Sequence, residues 1–175
     1  MIALGFVAGL LYANVGEWTI HRFALHGLGK SRTSFWSFHF HEHHQAARRH
    51  DMLDEDYLRP VFAWHAQGKE AAALVFAALS HVPLAFVFPS FYAGVLLNII
   101  GYYVVHRRAH LDPDWGRRWL PWHYDHHMGP DQDQNWCVTW PGADWVLRTR
   151  RPYKGTERET ADRQRRAQRA ARSAQ

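Results

Sequence analysis

The sequence has a single cysteine, Cys137, which excludes an intrachain disulfide and any cysteine-based zinc or iron–sulfur site. It also contains no GxGxxG dinucleotide-binding segment and no haem-binding segment, so no reductase motif is present. The formal net charge is +5, yet no nucleic-acid-binding motif accompanies the basic residues. We therefore expect no nucleic-acid partner.

The mean hydropathy is negative, which is low for a membrane protein, but apolar residues are concentrated in a few long stretches. One runs from Met1 to about Gly16, and another runs from Ala71 to Val105 with Pro89-Ser90 near its middle. A single helix over the second stretch would be about 50 Å long, against a hydrocarbon core of about 30 Å. The sequence thus predicts three membrane-crossing helices, with a turn at Pro89 and a large part of the chain outside the bilayer.

Fourteen histidines are present, and most of them fall in four clusters. If three helices cross the membrane, every cluster lies on the same face, which also carries nearly all the lysines and arginines. That charge bias predicts a cytoplasmic orientation. The predicted fold is all-α, an integral-membrane, multi-pass helical bundle with a cytoplasmic, histidine-lined helical cap. The clusters are HRFALH (His21, His26), HFHEHH (His39, His41, His43, His44), HRRAH (His106, His110) and HYDHH (His123, His126, His127).

The spacing within the clusters indicates which rings share a helix face. Residues three and four apart lie on one face, as in HYDHH and HRRAH. His21 and His26 are five apart, about 140° around an α-helix, which suits two ions or a site wrapped around the helix end better than one shared ion. In HFHEHH either His39 or His41 completes the set with the following pair, and His39 is slightly favoured. A local bulge would reconcile the irregular spacing.

The number of histidines indicates more than one metal ion. Imidazole suits zinc, copper, iron and nickel, so the ligand type does not name the metal. A structural zinc site needs four ligands, and about ten clustered histidines exceed that, which predicts two ions. Metal-bound histidine usually donates its other ring N–H to a carboxylate or carbonyl. The nearby candidates for this role are Glu17, Glu42, Asp112 and Asp125, whereas His50, His65 and His81 are isolated and are not predicted to be ligands.

The C-terminal segment differs in composition from the rest of the chain. From Lys154 onward it has seven basic and three acidic residues and few apolar ones. We predict one domain over residues 1–153 and a basic, disordered or weakly helical tail over residues 154–175, held on the cytoplasmic side with the histidine clusters.

The histidine boxes follow one another in the order HRFALHG, HEHH, VVHRRAH and HYDHH, with a hydrophobic hairpin before the third box. In this order the chain resembles the fatty acid hydroxylase (sterol desaturase) superfamily of membrane di-metal oxygenases. The closing NWCVTWPGADWVLRT resembles the segment that follows the last box in that family. The resemblance covers about residues 17 to 150. The segment EWTIHRFALHG followed by a histidine cluster is also similar to the bacterial β-carotene hydroxylases. The second box departs from the HxxHH pattern, which leaves His39 and His41 as alternatives.

The resemblance implies an O₂-dependent hydroxylase with two iron ions, zinc being an alternative occupant in purified protein. The implied substrate is an unactivated C–H bond of a membrane lipid of the fatty acyl, sterol or sphingoid type, or alternatively of a carotenoid. Two electrons are expected from a separate ferredoxin, cytochrome or reductase. A membrane metal transporter or metal-binding protein is the alternative of another class, and it would place ligands near the bilayer midplane. The implied site residues are His21, His26, His39 or His41, His43, His44, His106, His110, His123, His126 and His127.

Overall fold

The computed structural model describes residues 2–173, and over that range the chain is helical without a β-strand. The predicted all-α class is confirmed for these residues. Two π-helices, π1 (Ile20–Gly27) and π2 (His39–His43), and two 3₁₀ turns (Leu28–Lys30, Glu55–Leu58) accompany the α-helices. The α-helices are α1 (Ile2–Thr19), α2 (His44–Arg49), α3 (Ala66–Ser80), α4 (Pro83–Val87), α5 (Pro89–Leu111), α6 (Pro113–Trp119), α7 (Pro121–Met128), α8 (Gly142–Val146) and α9 (Glu157–Ser173).

Helices α1 and α5 pack closely against each other and run in the same direction. Glycines allow this contact, because a Cβ atom on Gly9 would collide with the backbone of Phe91, and one on Gly94 would collide with that of Phe6. Toward the other end, Asn98 of α5 donates to Glu17 of α1 at 3.4 Å. The parallel arrangement brings the C-terminal ends of both helices, which lead to histidine clusters, to the same end of the bundle.

The segment α3–α4 runs back in the opposite direction. Glu70, near the start of α3, contacts His106 near the end of α5, while Tyr92 at the start of α5 donates to the carbonyl of Ala78 near the end of α3. Pro83 and Pro89 occupy the first turns of α4 and α5, where a missing backbone N–H costs nothing. The predicted turn at Pro89 is therefore present.

Among residues 2–173 one helical segment, Ala66–Val87, is long and apolar enough to cross a membrane by itself. Helices α1 and α5 are diluted by polar and aromatic residues such as Asn14 and Asn98, although Leu4, Leu11, Leu97 and other apolar side chains on them are exposed. The sequence predicts three crossing helices, and the part of the chain that the structure describes contains one segment that meets the length and hydropathy of a membrane span.

The short helices beyond the end of α5 pack over the histidine clusters. Pro113 and Pro121 separate α5, α6 and α7, and an apolar cluster seats α7 against the end of α5. Met52, Ala109, Leu120, Tyr124, Met128 and Tyr153 form this cluster.

The C-terminal segment, which the sequence predicts as a disordered or weakly helical tail, contains helix α9. Glu159 explains its placement, because this buried carboxylate accepts hydrogen bonds from Arg117 at 2.7 and 3.1 Å and from the Tyr124 hydroxyl at 3.0 Å. The first turn of α9 is therefore attached to α6 and α7.

Candidate metal centre

Ten of the fourteen histidines are buried together, each at most 3% exposed. Nine of them fall into two sets whose ring nitrogens converge closely enough to hold an ion. We call these histidine group 1 and histidine group 2. The tenth, His123, joins group 2 through its Nε2, which lies 3.0 Å from Nε2 of His110. Group 1 consists of His21, His26, His39, His44 and His126, and group 2 of His43, His106, His110 and His127.

The two groups adjoin each other. The rings of His44 and His127, one from each group, stack with centroids 4.2 Å apart. The rings of His39 and His43 lie 5.3 Å apart. In two places consecutive residues belong to different groups. His43 belongs to group 2 and His44 to group 1, and His126 belongs to group 1 and His127 to group 2. The arrangement therefore could hold two ions at neighbouring positions, and it shows no separation into distant sites.

The π-helices explain why the first two clusters converge. Hydrogen bonds in a π-helix join residues five apart, so His21 and His26 in π1 lie nearly one above the other, with ring centroids 5.2 Å apart. The expectation that this pair suits two ions, or a site wrapped around the helix end, better than one shared ion assumed α-helical geometry and is wrong, because both rings belong to group 1. The predicted bulge in the second cluster is present as π2, and it brings His39 into group 1 beside His44.

Most of the converging rings have Nδ1 bound to a protein oxygen. In group 1, Nδ1 of His21 donates to the Trp136 carbonyl at 2.5 Å and that of His126 to the Gln134 carbonyl at 2.6 Å. In group 2, His110 donates to the Met52 carbonyl at 2.8 Å. A carbonyl is an acceptor, so the ring proton of these neutral imidazoles resides on Nδ1. Their Nε2 atoms then carry lone pairs, which is the tautomer that binds metal.

Carboxylates perform the same role for three further rings. His43 Nδ1 donates to Asp54 at 2.8 Å and His106 Nδ1 to Glu70 at 2.8 Å. His26 Nδ1 lies 3.4 Å from a carboxylate oxygen of Asp133. Glu70 also accepts from the hydroxyl of Tyr57 at 2.5 Å, which places this buried phenol in the same network. Each carboxylate orients a ring toward its group.

These three acids differ from those predicted. Glu17 accepts from the backbone of Val138 and Thr139, and Asp112 caps α6 through the Trp115 N–H. Asp125 binds Arg150, and Glu42 is paired with Lys69. The prediction that they support histidines is wrong. Asp54 could have been noticed in the acidic run DMLDED after the second cluster, and Glu70 as the acid beginning an apolar helix, whereas Asp133 carries no sequence signal.

The spacing of the nitrogens fits an ion. When two nitrogens bind the same ion with metal–nitrogen bonds of about 2.1 Å, they lie about 3.0 Å apart if the two bonds are perpendicular and about 3.4 Å apart if the coordination is tetrahedral. Nε2 of His44 lies 3.0 Å from that of His39 and 3.1 Å from those of His26 and His126. One ring proton cannot satisfy three nitrogen neighbours, so a cation at their centre is the arrangement that removes the lone-pair repulsion.

Group 2 fits an ion through its unpaired atoms. Nε2 of His43, Nε2 of His106 and both ring nitrogens of His127 are buried without a hydrogen-bond partner among the described residues. A buried polar atom without a partner costs about 1–3 kcal/mol. Several such atoms at one point are accounted for by a bound cation, so the residues present fit a metal in both groups.

Burial also keeps the rings neutral. Removal from water, and then the neighbouring imidazoles, lower the pKa of His39, His44 and His127 well below the ordinary value. Burial lowers the pKa of His126 to about 4. These rings are therefore uncharged lone-pair donors at neutral pH.

The alternative ligand His41, the isolated histidines and the single cysteine lie outside the groups. His41 is not in either group, and its Nε2 donates to the carbonyl of Lys30 at 3.0 Å. His65 binds Gln67 and the Pro60 carbonyl, and His81 contacts the hydroxyl of Tyr12. Cys137 is buried in an apolar cluster with Trp18 and Trp136. The structure thus favours His39 over His41 as a member of the site.

Comparison of the chain with protein-family models, with curated proteins and with solved structures found no match. The two histidine groups and the sequence motifs that form them are the features of this chain that bear on its function.

Proposed function

We propose that the protein is an O₂-dependent di-iron hydroxylase that oxidises an unactivated C–H bond of a membrane lipid. The observation that carries this proposal is the pair of adjoining histidine groups, nine buried rings whose nitrogens converge on two neighbouring positions. The order of the histidine boxes supports it, since the same order is found in the superfamily that the sequence resembles. The overall reaction is R–H + O₂ + 2 e⁻ + 2 H⁺ → R–OH + H₂O.

The donor set supports a catalytic rather than a structural metal site. Closed structural zinc sites use four ligands, commonly with cysteine, whereas each group here offers four or five imidazoles and no thiolate. Bound iron would supply O₂ activation. The chain's own contribution is to hold the imidazoles neutral, to fix their tautomers through carbonyls and carboxylates, and to exclude water from a buried centre.

The apolar helices support a lipid substrate of the fatty acyl, sterol or sphingoid type. Phe76 of α3 and Phe86 of α4 are 74% and 84% exposed, as expected of side chains that face hydrocarbon. In the proposed topology α1 and α5 cross in one direction and α3–α4 in the other, so the histidine groups and α9 lie on the cytoplasmic side. A lipid chain then reaches the centre from the bilayer along the ends of α1 and α5.

Elemental analysis tests the metal centre first. Detergent-purified protein expressed with iron should contain about two iron ions per chain, one for each group. His126→Ala should lose at least one of them, because its Nε2 is 3.1 Å from that of His44. His41→Ala is the control, because His41 is a histidine of π2 that belongs to neither group, and this variant should retain the wild-type content. Equal metal content in all three proteins would refute the assignment of the groups.

Turnover tests the chemistry. Iron-loaded protein supplied with a chemical reductant, lipid vesicles and ¹⁸O₂ should give a lipid product that carries one labelled oxygen. Carotenoid-containing vesicles in the same assay separate the carotenoid alternative from the other lipids. Iron that binds at full stoichiometry without any labelled product from either would leave a metal-binding protein and refute the hydroxylase.

A further inference from the structure

A cavity of about 370 Å³ lies between α9 and the segments that carry the histidine groups. Its lining is dominated by arginines, with a single acidic side chain among the lining residues. Met128 and Pro130, at the end of α7, close one side. The charged side chains of the lining are Arg48, Arg158, Asp162, Arg165, Arg166 and Arg169.

The lining places five arginines against one aspartate, and one of these arginines, Arg166, pairs with Asp51 outside the lining at 3.1 Å. Arg158 and Arg165 share one carboxylate, that of Asp162, at 2.9 and 3.5 Å. Both guanidinium side chains remain more than 60% exposed. Arg48 donates to two backbone carbonyls at the end of α7 and interacts with the charge of Asp162 across the cavity. The cavity therefore presents a positive field at an accessible surface.

The cavity adjoins histidine group 2 through Arg48. This residue of α2 donates to the carbonyl of His127 at 2.7 Å and to that of Gly129 at 2.9 Å. The ring of His127 belongs to group 2, so one peptide unit connects the wall of the cavity to the proposed metal centre. On the neighbouring face of α7, Tyr124 contacts Glu159 of α9, which keeps this wall in place.

We propose that the arginine cavity is the docking site of an acidic electron-donor protein. The inference rests on the proposed function, which consumes two electrons that the chain has no cofactor motif to provide. The donor is oxidised by one electron in each encounter, and two encounters reduce the centre by two electrons. A positive surface next to group 2, on helices beyond the ends of α1 and α5, meets an acidic partner from the aqueous side. Complementary charge accelerates such encounters and orients the partner.

The test measures binding and does not depend on turnover. The full-length protein in detergent is titrated with an acidic [2Fe–2S] ferredoxin, and the dissociation constant is determined at low and at high salt. The double variant Arg158→Glu/Arg165→Glu should bind about tenfold more weakly or worse, and raising the salt should weaken wild-type binding. Arg32→Glu/Arg59→Glu is the control, because it changes the net charge equally at exposed positions outside the cavity. It should bind within about twofold of wild type.

Three results would overturn the docking site. In the first, both double variants lose the same affinity, which would mean that only net charge matters. In the second, neither variant loses affinity. Alternatively, the cavity variant could keep ferredoxin binding and instead lose binding to vesicles containing phosphatidylserine, which would make the cavity a lipid-headgroup site.

Iron content and reductant-driven turnover separate this inference from the proposed function. The cavity variant should keep the iron content of wild type and should hydroxylate lipid when a chemical reductant replaces the ferredoxin. If wild type gives no product with the chemical reductant, the proposed function fails regardless of docking. If wild type turns over with both donors and the cavity variant uses ferredoxin equally well, docking at the cavity fails alone.

Discussion

Replacing Asp54 with asparagine would remove the acceptor that holds His43 in the tautomer with a lone pair on Nε2. Asp54 is 2% exposed and accepts from His43 Nδ1 at 2.8 Å, from the Gln67 amide at 2.6 Å and from the backbone N–H of Asp56 at 3.2 Å. Burial alone would raise its pKa, but the hydrogen bond from His43 and the backbone N–H of Asp56 keep the pKa below the ordinary value. The group is therefore an ionised carboxylate that accepts only.

Asparagine is nearly the same size but has one acceptor oxygen and one donor nitrogen. His43 and Gln67 share one oxygen of Asp54, and the backbone N–H of Asp56 binds the other, so at least one donor must face an N–H₂ group in the variant. In either orientation of the amide the His43 ring loses its charged acceptor, because a neutral amide oxygen accepts more weakly than a carboxylate, and support for the ligating tautomer falls. Loss of such a partner typically lowers metal affinity by 10- to 100-fold, or about 1.4–2.7 kcal/mol. The expected effect is therefore a weaker ion in group 2 with group 1 retained.

Chelator competition measures this effect. Iron-loaded wild type and Asp54→Asn are titrated with a chelator, and the two release steps are followed by elemental analysis. One of the two ions should leave the variant at a chelator concentration at least about tenfold lower than from wild type. Asp56→Asn is the control, since the side chain of Asp56 is 42% exposed and pairs with Arg59 on the surface. Release curves of Asp54→Asn that overlie those of wild type would refute the tautomer argument.

Two other predictions concern stability and packing. Burial alone would raise the pKa of Glu159, but hydrogen bonds from Arg117, the Gly155 N–H and Tyr124 lower it to about 2. The pKa in the folded protein therefore lies below that in the unfolded chain. About 3 kcal/mol of stability is present above pH ~4.5 and is lost as the pH falls toward ~2. Thermal melting should therefore show Glu159→Gln destabilised at neutral pH, with the gap to wild type closing on acidification; a gap independent of pH would contradict this. Gly94→Ala should destabilise the α1–α5 pair by about 1–3 kcal/mol and lower the iron content, because the new Cβ would meet the carbonyl of Phe6. Gly101→Ala is the control, since the space around its Cβ is open, and it should have neither effect. Equal melting temperatures of the two variants would disprove the close approach.

The gathering of the histidines could be predicted because helical spacing is a local property. His106 and His110 are one turn apart, and His123, His126 and His127 follow the i, i+3, i+4 pattern, so their shared faces follow from sequence alone. The turn at Pro89 is equally local. The convergence of His21 with His26 could not be predicted in this way, because it depends on a π-helix and the spacing of the residues does not distinguish a π-helix from an α-helix.

The partners of the histidines could not be predicted because they are set by tertiary contacts. Asp133 is 107 residues from His26, and Glu70 is 36 residues from His106. Proximity in sequence was a poor guide: Glu17 is four residues from His21, yet it binds the loop at Val138 and Thr139. The wrong assignment of Glu17 has a physical reason, since this carboxylate satisfies backbone N–H groups that the loop would otherwise leave unpaired next to an apolar helix.

The two pairs of consecutive histidines explain why the groups adjoin. Neighbouring residues on a helix point about 100° apart, so their rings cannot meet at one ion but can reach two ions side by side. His43 serves group 2 and His44 serves group 1, whereas in the last box His126 serves group 1 and His127 serves group 2. In each pair a single peptide bond therefore joins a residue of one group to a residue of the other, and the order of the two groups along the chain is reversed between the pairs. A displacement of the junction between π2 and α2, or of α7, moves one ring of each group, so the two positions form one structural unit.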